Sequence, residues 1–136
     1  MILADTSAWV EYDRATGSAI DERVTQLIES DGPLAITEPV LMEVLAGARD
    51  DASEIRLRRL LLRWEFLSFD PVADFDGAVR IYRHCRAAGV TPRGLLDCMI
   101  AAVAWRRQAC LLACDADLDR VAGVIGIAVD PASLRA

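Results

Sequence analysis

Short apolar runs alternating with helical stretches constrain this chain more than any other feature. "MILA", "LAI", "FLSF", "CLLAC" and "IGIAV" each have strand length and strand composition. Between them lie segments whose apolar residues recur at helical spacing. "SAWVEY" predicts a short helix after the first run. "SAIDERVTQLIES" carries Ile20, Val24, Leu27 and Ile28 on one face. Thr37 reads as an N-cap with Pro39 in the first turn, opening "EPVLMEVLAGA". "ASEIRLRRLLLRW" has Leu57, Leu60, Leu61 and Trp64 as its stripe, and "VADFDGAVRIYRHCRAA" predicts a helix ending at Gly89. Thr91-Pro92 repeats the N-cap signal for a helix running to about Arg107. "DADLDRVA" predicts a last short helix. Such alternation predicts an α/β sandwich around a mainly parallel sheet, in which ligands sit beyond the carboxyl ends of the strands.

The totals narrow the function. A length of 136 residues suits a single domain, and 54% hydrophobic with 26% charged residues is a globular composition. No apolar run reaches the roughly 18 residues of a bilayer span, and no basic segment precedes a long apolar one at the N-terminus. A cytoplasmic protein without a membrane anchor is expected. The net charge of −6 argues against a general nucleic-acid coat, yet it is compatible with an acidic metal site, where the ion reverses the local field. All 15 basic residues are arginine, which excludes any mechanism that requires a lysine. Cys85, Cys98, Cys110 and Cys114 form no C-x-x-C pair. Across an extended stretch, Cys110 and Cys114 stand about 13 Å apart, too far for a disulfide. Together with one histidine, His84, they give no zinc signature.

Four acids carry the chemical signal. Asp5 follows the first run and Asp115 follows "CLLAC", so parallel strands place both at the ligand-binding edge. Either alone would serve as an ordinary helix N-cap. Asp97 interrupts "LLDCMIAAVAW", whose ten other residues are non-polar. A carboxylate in so apolar a helix is costly unless it is satisfied, and a cation satisfies it best. Glu43 sits comparably within "PVLMEVLAGA". Asp117 and Asp119 follow Asp115 at steps of two; Asp117 is a further candidate ligand, whereas Asp119 reads as a solvated helix face. Thr6 and Ser7 supply hydroxyls either for capping or for holding a carboxylate or a bound water. Carboxylates without His or Cys make a hard-oxygen site that suits Mg²⁺ or Mn²⁺.

The stretches "ILADTSAWVEY", "ITEPVLMEVLAGAR", "GLLDCMIAAVAW" and "LLACDADLDRVA", with Asp5, Glu43, Asp97 and Asp115 in that order, resemble the PIN-domain ribonucleases, specifically the VapC-type toxins. Leu118 stands where the family often has Phe, a mild departure. The resemblance covers nearly the whole chain. It implies a single PIN-like domain over residues 1–136, a three-layer α/β/α sandwich on a five-stranded sheet ordered 3-2-1-4-5. It implies Mg²⁺-dependent hydrolysis of RNA phosphodiesters by a metal-activated water, with Mn²⁺ able to substitute. Asp5, Glu43, Asp97 and Asp115 would bind metal, assisted by Asp117. It also implies a homodimer and a cognate VapB-type antitoxin whose basic tail enters the acidic site.

Arginines supply the remaining candidates. Arg56, Arg59 and Arg63 share a helix face that is either solvated or a strip for phosphates or an acidic partner. Arg93, in the first turn of the helix expected from Thr91, is placed to meet a phosphate near the acids. Two other readings compete. A phosphotransferase with Asp5 as nucleophile needs a nearby lysine, which this chain lacks. A catalytically inactive PIN-like RNA- or protein-binding module would be expected to have lost one of the four acids.

Overall fold

The computed structural model describes residues 1–136. Four strands, β1 (Ile2–Ala4), β2 (Leu34–Ile36), β3 (Glu65–Phe66) and β4 (Cys110–Leu112), form one sheet ordered β3-β2-β1-β4. Every pairing is parallel, with Leu3 facing Ala35 on one side and Leu111 on the other. The three residues of β1 and of β2 are all buried, as continuous apolar runs in a parallel sheet should be.

Seven helices cover the sheet: α1 (Thr6–Asp13), α2 (Ala19–Glu29), α3 (Glu38–Ala46), α4 (Asp51–Leu61), α5 (Ala73–Ala87), α6 (Leu95–Arg107) and α7 (Ala116–Ile125). From β1 the chain steps to β2 and β3 through α1 to α4, then returns through α5 and α6 to β4 on the far side of β1. Right-handed crossovers in opposite directions put these two helix groups on opposite faces, which makes the three layers. Packing agrees: α1 meets α2 and α3, while α5 meets α6 and α7. The reversal of direction lies between β1 and β4. A crevice opens at such a point, beyond the strand ends.

The fifth strand expected from "IGIAV" is reduced to one bridge, Val129 beside Leu111, on the outer side of β4. Helix α7 takes Ile125, and Gly126 caps it at φ +86°. Ile127 then bonds back to the Ala122 carbonyl, leaving only the Ala128 carbonyl and the Asp130 amide to pair with Leu111. Its position is nevertheless that of a fifth strand in the order 3-2-1-4-5. "FLSF" is likewise shorter than expected: regular pairing stops at Phe66, and the Leu67 amide adds one bond to the Ile36 carbonyl.

Of the two expected helix starts, the one at Thr37 holds and the one at Thr91 needs correction. Thr37 occupies the N-cap of α3, but its hydroxyl makes no capping bond and is buried without a partner. The helix expected from Thr91 begins instead at Leu95, with Gly94 as N-cap. Residues 91–93 lie outside it, and the Arg93 amide donates to the Asp117 carboxylate at 3.0 Å. All four cysteines are free, and Cys85 and Cys98 are buried.

Candidate active site

Asp5 leaves the end of β1 with its backbone amide bonded to the Leu112 carbonyl of β4 at 2.9 Å, so the crevice strands fix its position. It is 3% exposed and also caps α1. Ser7 donates to Asp5 Oδ2 twice, from its amide at 3.1 Å and from its hydroxyl at 2.6 Å. The same hydroxyl accepts from the Cys114 amide at 2.9 Å, which links both strand ends through one side chain. Burial raises the Asp5 pKa against these bonds, and the charges of Glu43 and Asp115 push it further up.

Glu43 reaches the site from α3, where the Thr6 hydroxyl donates to its Oε1 at 2.7 Å. Asp115 ends the β4 segment and caps α7, accepting from the amides of Asp117 at 2.9 Å and Leu118 at 3.3 Å. Both ordinary capping roles expected of Asp5 and Asp115 are therefore real, and they orient the carboxylates. Asp117 is buried in the first turn of α7.

Asp97 differs from the others. It projects from the first turn of α6 and accepts no side-chain or backbone hydrogen bond. Its pKa is raised to about 7, first by burial and then by the charges of Asp5, Asp115, Asp117 and Glu43. The acids of β1, α3, α6 and the β4–α7 junction thus act on one another electrostatically. As the side chains stand, no three acids, cysteines or histidines converge into a closed ligand set. The donor set itself is all hard oxygen and fits Mg²⁺ or Mn²⁺.

Arg93 lies at the rim, in the loop before α6 and not in the helix expected from Thr91. Its Nη2 donates to Asp115 Oδ1 at 2.8 Å, and its Nε lies 3.7 Å from Asp117 Oδ2. Arg120, which sequence reading missed, approaches Asp117 from one helical turn away at 4.0 Å. Its three-residue spacing from Asp117 was the available signal. Asp119 is not the solvated residue expected: it accepts from the Ala136 amide at 2.7 Å and pairs with Arg135. In α4, Arg56 pairs with Asp13 at 2.9 Å; just beyond its end, Arg63 stacks over Trp64, 5.0 Å from the ring. These two are occupied within the protein.

Comparison with known proteins matches this arrangement to the PIN domain family over residues 2–124. The chain is 44% identical over 128 residues to VapC ribonuclease Mb1587 of Mycobacterium bovis and to ribonuclease VapC11 of Mycobacterium tuberculosis, covering 93% of this chain and 96% of each relative. Among solved structures, VapBC2 from Rickettsia felis bound to a promoter DNA fragment superposes with a TM-score of 0.76 at 17% identity, covering 98% of this chain and 99% of that one. FitAcB from Neisseria gonorrhoeae gives 0.72 at 17% identity, covering 97% and 98%. The chain belongs to the PIN-domain family, in its VapC branch.

Proposed function

We propose that this chain is a Mg²⁺-dependent ribonuclease that hydrolyses RNA phosphodiester bonds and acts as the toxin of a toxin–antitoxin pair. The observation that carries this reading is Asp97, a partly buried carboxylate with no hydrogen-bond donor, set within the charges of Asp5, Asp115, Asp117 and Glu43. Such an arrangement is expensive unless a cation enters it. Asp5, Glu43, Asp97 and Asp115 would hold the ion, with Asp117 assisting. A bound Mg²⁺ or Mn²⁺ supplies Lewis-acid polarisation of the phosphate and of an attacking water. The protein's own contribution is positioning: Ser7 fixes Asp5, Thr6 fixes Glu43, and the α7 amides fix Asp115. Strand ends and helix starts are rigid supports for such a constellation.

Relatives named as VapC ribonucleases support the reaction, and solved VapBC and FitAB assemblies support a VapB-type antitoxin as partner. A basic side chain from such a partner would neutralise the carboxylates and compete with the ion. Self-association into a homodimer is supported by exposed apolar side chains, with Val72, Phe75 and Val79 on one face of α5 and Trp105 on α6. A groove of about 410 Å³ between α5, α6 and α7 adjoins Trp105 and has no uncompensated acid. It is a candidate protein interface and not the catalytic centre. No helix is long and apolar enough to cross a membrane, in keeping with a cytoplasmic toxin.

The test is cleavage of total cellular RNA by purified protein. Mg²⁺ should support discrete cuts and EDTA should abolish them. Cleavage unaffected by EDTA would overturn the metal-dependent mechanism, and no cleavage with either ion would overturn the ribonuclease reading.

A further inference from the structure

Arg93 and Arg120 flank Asp115 and Asp117 around an open depression of about 500 Å³, whose remaining lining comes from Cys114 and Ala116. The acids and the arginine are held very differently. Asp115 and Asp117 side chains are 15% and 9% exposed, whereas that of Arg93 is 70% exposed. Two α7 amides pin Asp115. The Arg93 backbone is pinned too, by its amide bond to Asp117. Only the guanidinium is loosely held, on one bond of 2.8 Å to Asp115 and a longer approach to Asp117. A mostly solvated arginine gains little from such a pair and leaves it readily. Its anchored backbone keeps the head within a side-chain length of the site after it leaves.

We propose that Arg93 is a tethered counterion of the acid site, displaced from Asp115 by the divalent cation and then presented to a phosphate of the RNA. The second half rests on the ribonuclease reading above. The competition follows from charge, since Arg93 sits on Asp115 and beside Asp117, two of the carboxylates that would hold the ion. Its onward role follows from chemistry, since the planar guanidinium that fits a carboxylate also fits a phosphate. Arg93 thereby suppresses metal binding in the absence of substrate and favours it once RNA draws the guanidinium away. It is a positioning residue for both.

The experiment titrates Mn²⁺ into full-length wild type, Arg93→Gln and Arg93→Lys, without RNA, and follows thermal melting. Arg93→Gln should reach half-saturation at about threefold lower Mn²⁺, the gain expected from removing one exposed competing pair. Arg93→Lys, which keeps charge but not the fork, should fall between. With RNA, KM should rise by about tenfold in Arg93→Gln, as a lost charged hydrogen bond predicts, while kcat at saturating Mn²⁺ changes less. An unchanged or higher Mn²⁺ midpoint in Arg93→Gln overturns the counterion, including the case in which only the melting temperature drops, because that marks a purely structural clasp. An unchanged KM overturns the phosphate contact. Wild type that binds Mn²⁺ but leaves RNA intact overturns the ribonuclease reading, and the Mn²⁺ midpoint of Arg93→Gln then decides the counterion by itself.

Discussion

Two regions of this molecule bury carboxylates, and they do so in opposite ways. On the α5–α6 side, Asp74 is 1% exposed and fully compensated. Arg106 grips it with two bonds, Nε to Oδ1 at 2.9 Å and Nη2 to Oδ2 at 2.7 Å, and the Asp70 amide adds a third at 2.7 Å. Asp130 follows the same pattern, with Arg23 on one oxygen and the Ala132 amide on the other. At the β1–β4 crevice, Asp5 has only hydroxyl and amide donors, and Asp97 has none. The first arrangement brings its counterion within the fold. The second concentrates negative charge: exposed Arg93 and Arg120 reach only Asp115 and Asp117, and Asp5 and Asp97 have no basic partner from the chain. Buried and partly buried acids can therefore be sorted by whether the chain itself neutralises them.

The sharpest way to break this distinction is Asp97→Asn. Size is kept and one charge is removed from the cluster. RNA cleavage should fall by about a hundredfold or more, the scale seen when one charge-stabilising group is deleted from an active site. The metal-free fold should persist, with a melting temperature equal to or above wild type, because repulsion is relieved. Wild-type cleavage by this variant would remove Asp97 from the site.

The opposite outcome is expected at Asp74→Asn. Here a compensated pair is cut and Arg106, with its side chain 32% exposed, loses its partner. Breaking a buried pair costs about 3–5 kcal/mol, and the partial exposure of Arg106 lowers that to roughly 2–3 kcal/mol. Urea denaturation of the two variants side by side gives the comparison directly. Asp74→Asn should lose stability and, where folded, keep cleaving; Asp97→Asn should do the reverse. Equal stability losses in both would erase the distinction.

The difference between the regions was only half legible in the sequence. Asp97 stood out because its helix is otherwise apolar, and Asp5 because a strand ends on it; both signals are local. The alternating runs likewise disclosed the parallel sheet. Asp74 gave no such signal: it lies in "VADFDGA", a stretch with other acids, and its partner is 32 residues away. Tertiary pairing of that kind has no local pattern. Asp119 was misread for the same reason, since its partners lie at the C-terminus. Arg93 was found but placed in a helix, because Thr91-Pro92 carries a good start signal although α6 begins only at Leu95. The lost fifth strand turned on Gly126, whose left-handed backbone ends α7 inside the run that looked like a strand.

A smaller effect separates the regions by pH. In the metal-free protein the Asp97 pKa is raised from 3.8 to about 7, and that of Asp5 is raised as well. Between those values the native state retains a proton that the unfolded chain has released. Stability must then fall as pH rises from about 4 towards 7, the reverse of the usual paired carboxylate. Screening by solvent at the partly exposed Asp97 leaves on the order of 2 kcal/mol of this effect. Asp50 and Asp70 have lowered pKa values and contribute in the other sense, but only at pH near or below 4. Denaturation in EDTA across this range should show the decline in wild type, and a flatter profile in Asp97→Asn. Saturating Mn²⁺ should also flatten it, because an ion that binds only the native state repays the repulsion, by about 2.7 kcal/mol at a hundred times its dissociation constant. A wild-type profile that rises through the same range in EDTA would mean that the crevice acids are compensated after all and that the two regions do not differ in kind.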